Sequence, residues 1–176
     1  MLGVKSGVGQ RLKDQFPGIT LWHCLNHRLE LAVADAISTV SGFFSIQALF
    51  EKIYCVYSRS AKHQRPIKEI SMDLDIQFKR IGKIFTIRWV VSLFRTVKAA
   101  WENYPALYMH FKLLADDTST KTNDRAAFRG LSKKLATMQF VEDVAIVKDC
   151  LAQVSILSES LQKPEVSFIE ANRYLK

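Results

Sequence analysis

Residues 43–57 read Phe43-Phe44-Ser45-Ile46-Gln47-Ala48-Leu49-Phe50-Glu51-Lys52-Ile53-Tyr54-Cys55-Val56-Tyr57. Ile46, Leu49, Phe50, Ile53 and Tyr57 recur at steps of three and four, which aligns them along one face of an α-helix. The same spacing recurs on both sides. Upstream, Leu25, Leu29, Ala32, Ala36 and Val40 form a stripe that Ser41-Gly42 interrupts. Downstream, Val90, Leu93, Phe94, Val97 and Trp101 form a third stripe. Leu107, Tyr108, Phe111 and Leu114 form a fourth, entered through Pro105, which suits a first helical turn. Leu131, Leu135 and Met138 suggest a fifth. Val144, Val147, Leu151, Val154, Leu157 and Leu161 make a long sixth, which Pro164 ends before a last helix through Phe168 and Tyr174. Residues 116–124 are polar and read as an exposed loop. The fold class expected is therefore mostly α.

The N-terminal end departs from this pattern. Val8, Leu12 and Phe16 place a short helix over 4–16, and Pro17-Gly18 breaks it. Ile19-Thr20-Leu21-Trp22 alternates and is rich in β-formers, so it reads as one short strand. A lone strand leaves its backbone groups unpaired. The expectation is that its partners lie elsewhere and that the chain is a piece of a larger protein.

The chain has 176 residues, 48% hydrophobic and 24% charged, with seven Gly and four Pro, which excludes collagen-like and linker-like composition. No apolar run reaches the roughly 18 residues of a membrane helix, and residues 1–10 lack the apolar centre of a signal peptide, so no membrane partner is expected. Cys24, Cys55 and Cys150 are odd in number and far apart, which points to free thiols in a reducing, intracellular compartment. The net charge is +8. Most of the excess lies in residues 61–100, where nine Lys/Arg face three Asp/Glu.

Three constellations carry possible chemistry. Lys79, Arg80, Lys83 and Arg88 stand among Phe78, Phe85 and Trp89, with Arg95 and Lys98 following. Cations bind phosphates and aromatic faces stack on bases, so Lys79, Arg80, Lys83, Arg88 and Trp89 are the candidate nucleic-acid contacts, against the plainer reading of a solvated helix face. His23-Cys24-Leu25-Asn26-His27-Arg28 has the Cys-x-x-His spacing of half a zinc site, but His63, His110, Cys55 and Cys150 supply no second pair. Cys24, His27 and Arg28 are therefore expected to pack and hydrogen-bond at the strand–helix turn without metal. A Cys24 nucleophile activated by histidine has no evident orienting group. Asp73 and Asp75 are the closest carboxylate pair in the basic stretch and stand in no special context. Phosphate-loop, nucleophile-elbow and kinase signatures are absent.

Several segments together resemble the hAT superfamily of DNA transposases and its domesticated vertebrate descendants, which include zinc-finger fusions and a SUMO-ligase relative. They are Leu2-Gly3, Lys5-Ser6-Gly7-Val8, Leu12, the Pro17-Gly18 break, and His23-Cys24-x-x-His27-Arg28-Leu29-Glu30-Leu31-Ala32. Thr86-Ile87-Arg88-Trp89-Val90, with an inserted Ile87, and Tyr104-Pro105-Ala106-Leu107 extend the resemblance over residues 1–115. The resemblance implies a ribonuclease-H-like α/β core interrupted by a large helical insertion. Residues 1–40 would be part of that core, and residues 41–176 would be the insertion, truncated at its C-terminal end. Active relatives hold Mg2+ on three acids for phosphodiester cleavage and strand transfer, and none of the three maps onto this chain. The expectation is a catalytically inactive, cofactor-free fragment of a nuclear protein that binds DNA weakly and without sequence preference. Protein partners or a homodimer would form through segments outside these residues. The alternatives are a piece of an active transposase, or a SUMO-ligase-like or helical scaffold protein.

Overall fold

The computed structural model describes residues 7–19, 24–40, 42–58, 60–85 and 89–162. It is mostly helical, and among the described residues there is no strand. The strand expected at 19–22 falls outside them except for Ile19, which is irregular; the helix expected around Phe168 and Tyr174 also falls outside. Eight helices follow in order among the described residues. They are α1 (Val8–Gln15), α2 (Leu25–Ser38), α3 (Phe43–Ser58), α4 (Ala61–Asp73), α5 (Trp89–Glu102), α6 (Tyr104–Asp116), α7 (Thr122–Leu135) and α8 (Met138–Ser160). No single one is long and apolar enough to cross a membrane.

The core is built by the stripes of α3, α5 and α6. Ile46, Leu49, Phe50, Ile53 and Tyr57 are all buried on α3, as are Val90, Leu93 and Val97 on α5 and Leu107 and Phe111 on α6. α6 packs against α4 and α7, and α5 against α8. Phe50 of α3 and Phe140 of α8 meet with ring centroids 6.3 Å apart, which closes the core across the bundle. Gly42, between α2 and α3, has φ +89°, a conformation that glycine adopts without steric cost.

Three helices differ from the sequence expectation. α2 buries Asn26 and Glu30, with Val33 and Ile37 against the core, a face one residue around from the expected stripe. Ala32, Ala36 and Val40 are exposed instead. The burial follows from α8, whose Ser158 Oγ donates to Asn26 Oδ1 at 2.6 Å and ties the two helices by a polar contact. Met138 does not extend the fifth stripe. α7 ends at Leu135, and Met138 opens α8 with its side chain in solvent. α4 has no clear stripe in the sequence, because only Ile67 and Ile70 supply apolar contacts and Pro66 lies inside it. Its end is well defined: Ile76 N–H bonds Ser71 C=O and Asp75 N–H bonds Met72 C=O, with Asp75 at φ 55°. These are the two bonds of a Schellman cap, with Asp75 in the left-handed position usually taken by glycine.

Candidate nucleic-acid interface

Beyond that cap, residues 76–85 carry no regular secondary structure and run along α5. Three polar side chains fix them there. The Asn103 side chain closes a two-way bond with Lys79, its Oδ1 accepting from Lys79 N–H at 3.0 Å and its Nδ2 donating to Lys79 C=O at 2.6 Å. Thr96 Oγ1 donates to Gly82 C=O at 3.1 Å. Ser92 Oγ accepts from Phe85 N–H at 3.0 Å. The pairs 79/103, 82/96 and 85/92 run in opposite senses, so the strap is antiparallel to the helix. Three extended residues cover about 10 Å, and seven helical residues cover nearly the same length, which accounts for the first step of this register. Asn103 and Thr96 are fully buried, so the latches work where water does not compete.

Ile81 points into the core, and Lys79, Arg80 and Lys83 stand exposed. Lys79 Nζ is 2.7 Å from Gln77 Oε1. Lys83 shares a cavity of about 400 Å3 with Arg95 of α5 and with Gln162 and Glu159 from the end of α8. Arg95 was visible in the sequence only as one more cation of the basic stretch; the strap brings Lys83 to it. Lys98, one turn on, pairs with Glu102 at 4.0 Å and belongs to an exposed helix pair. Trp89 begins α5 half-buried and lines a separate groove of about 360 Å3 with the exposed rings of Phe44 and Phe85. Phe85 borders both cavities. Arg88 lies outside the described residues.

The second expected cluster lies at the surface. Cys24 is the N-cap residue of α2, exposed, and makes no side-chain capping bond. His27 and Arg28 are exposed, and the buried residue of this run is Asn26. The physical reason is that α2 turns the Asn26–Glu30 face inward, which carries positions 27 and 28 to solvent. Among the described residues, no three His, Cys, Asp or Glu side chains gather; His23 lies outside them. Asp73 and Asp75 are both exposed.

The structure also joins two histidines that stand alone in the sequence. His110 is buried, its Nδ1 hydrogen-bonded to Tyr57 Oη at 2.9 Å. The His63 ring lies 6.0 Å from His110 and 5.7 Å from Phe128. Burial, with the neighbouring His63, lowers the His110 pKa to about 4. Burial and Lys62 lower that of His63, and Asp124 opposes them. Burial raises the Tyr57 pKa far above the ordinary tyrosine range. His110 and Tyr57 stay neutral near pH 7 and form part of the packed interior. The sequence contains no signal for this pair, because the Tyr57–His110 contact spans 53 residues.

No family model matches this chain, and no solved structure matches it.

Proposed function

We propose that this chain is a nucleic-acid-binding module that grips phosphates without reading sequence. The observation that carries the proposal is the latched strap: backbone fixed to α5 by Asn103, Thr96 and Ser92, holding Lys79, Arg80 and Lys83 outward with Arg95 beside Lys83. Cations on a pre-ordered backbone lose little backbone freedom on binding, and each phosphate contact releases counterions. Trp89 and Phe85 would add an aromatic surface for unpaired bases. The sequence resemblance to hAT-transposase-derived proteins supports the same reading. In it, the chain is a catalytically inactive piece of a domesticated, nuclear protein, with residues 41–176 as its helical insertion.

The test is duplex binding at a series of salt concentrations, in buffer containing Mg2+. Affinity should fall steeply with salt, with a slope near −0.9 per contact. Neutral replacement of Lys79, Arg80 and Lys83 together should flatten the slope and weaken every sequence alike, and the duplex should stay uncut. Trp89→Ala should cost single strands roughly 1–3 kcal/mol. Binding insensitive to salt, or absent at low salt, would overturn the proposal.

A further inference from the structure

Apolar surface stays open to water at two places away from the strap, and the two match in spacing and length. The first is α1. Val8, Leu12 and the C-cap residue Phe16 are spaced by four and are 59%, 39% and 56% exposed, so the stripe of this helix meets water from end to end. The second is a groove of about 370 Å3 between α2 and α8. Ala32, Ala36 and Val40 line it on the α2 side, and Ile146, Cys150 and Val154 line it on the α8 side. These rows are spaced by four as well, and Val40 and Ile146 are exposed. The α8 row and the α1 stripe each run over eight residue steps, about 12 Å of helix. Ala32 and Ala36 keep one wall low, which lets a third helix approach closely.

We propose that α1 of a second copy of this chain occupies the groove, and that two copies exchange their α1 helices in this way. Charge supports the choice of occupant. Arg11 and Lys13 flank Leu12, about 100° to either side of the stripe, so α1 carries a cation along each edge of its apolar face. Gln10 and Asp14 lie on the back of the helix, where Gln10 Nε2 donates to Asp14 Oδ1 at 2.9 Å. The groove has acidic borders: Asp35 is exposed on α2, and Glu142 and Asp149 are exposed on α8. Each of these two helices has one Lys or Arg. Arg28 stands one turn before Ala32, and Lys148 is drawn over the Trp101 ring, 5.7 Å from its centroid. A helix seated in the groove with its stripe inward therefore brings one cation to each acidic border. Within one chain both the stripe and the groove stay open. Reciprocal exchange fills both grooves at once and closes as a two-fold pair.

The test is the association of the full-length chain, followed by sedimentation equilibrium. Two eight-residue helices bury a small area, so the expected dimer is reversible, with Kd on the order of 10 μM. Leu12→Asp combined with Phe16→Asp should raise that Kd at least about tenfold. Arg11→Glu combined with Lys13→Glu should weaken the dimer too, and adding Asp35→Lys and Glu142→Lys should restore it, a rescue that mere loss of α1 would not give. Cys150 reports the contact directly, because it is a free, exposed thiol at the middle of the α8 row, as Leu12 is the middle of the stripe. With Cys24 and Cys55 replaced by Ser, a copy carrying Leu12→Cys and Cys150→Ser should form a disulfide with Cys150 of an otherwise unaltered copy on mild oxidation. A chain that stays monomeric at about ten times the expected Kd would overturn the proposal. So would a dimer that survives the Asp pair, a charge exchange that restores nothing, or, in a chain carrying Leu12→Cys with Cys150 kept, a disulfide that forms only within the chain at a rate independent of concentration.

Discussion

Asn103 offers the sharpest check on how the strap is held. Its side chain is fully buried and makes two bonds to the Lys79 peptide, at 3.0 and 2.6 Å. Replacing it with Ala removes both. Each is worth about 1 kcal/mol net, and the vacated amide volume adds part of a cavity term. Lys79 lies at the surface and its peptide can rehydrate once the strap lifts, which limits the loss. The expected cost of Asn103→Ala is about 2–3 kcal/mol. For a chain of this size that lowers Tm by about 5–10 °C. Asn103→Asp is more discriminating. The oxygen facing Lys79 N–H is kept, but a second carboxylate oxygen replaces the Nδ2 donor and meets the Lys79 carbonyl. The Asp variant should therefore be at least as unstable as the Ala variant, despite matching Asn in size. Urea denaturation followed by circular dichroism measures the cost, and limited trypsin digestion at Lys79, Arg80 and Lys83 reports whether the strap has come loose. Stability within about 0.5 kcal/mol of the unaltered chain, with unchanged tryptic resistance at those sites, would refute the reasoning.

Acid should weaken the fold through His110. Its folded pKa is held at about 4 against 6.5 for the free side chain, so the unfolded chain takes up the proton first. Stability is then fully present above pH 6.5 and is lost as pH falls toward 4, by roughly 3 kcal/mol in total. Denaturation midpoints measured across that window should follow this limb, and His110→Gln should flatten it. In the opening run of α2, Asn26→Ala should cost about 1–2 kcal/mol because it leaves Ser158 without its buried acceptor, whereas the exposed neighbour His27→Ala should cost less. Thermal melts of the two variants side by side decide that order.

The core helices are legible in the sequence because their stripes are wide and unambiguous. Ile46, Leu49, Phe50, Ile53 and Tyr57 leave one possible inward face, and the fold uses it. α2 is different. Leu25, Leu29, Ala32, Ala36 and Val40 form one periodic set, and Asn26, Glu30, Val33 and Ile37 form another, turned by one residue. Periodicity cannot rank two such faces when the choice depends on a neighbour 132 residues away, as the Asn26–Ser158 bond does. α4 is hard to read because Pro66 interrupts it and only Ile67 and Ile70 mark its apolar side. The cations of the candidate interface were countable from the sequence. Their presentation was not, because it depends on Ser92, Thr96 and Asn103, three polar residues that hold the strap through its backbone groups alone. Backbone partners have no side-chain signature.

Exposed apolar surface is unevenly distributed along the chain, and the imbalance has a physical consequence. On α1 and at its C-cap, Val8, Leu12 and Phe16 all face solvent, although they form the stripe that a helix of this length would bury. On α2, between α2 and α3, and at the start of α3, Leu31, Val40 and Phe44 do the same. From Ile46 onward the large apolar side chains on the periodic faces of α3, α5 and α6 close around Phe50, Leu93, Leu107 and Phe111. A short helix draws most of its stability from tertiary packing, so α1 contributes least to the described fold and opens first. α2 is held on one side by α5 and by the Asn26 bond to α8, and Ala32 and Ala36 are exposed. The strap, by contrast, spends buried polar side chains on fixing an exposed, charged backbone. That investment adds little apolar burial. It makes physical sense chiefly where the position of Lys79, Arg80 and Lys83 has to be fixed before a partner arrives.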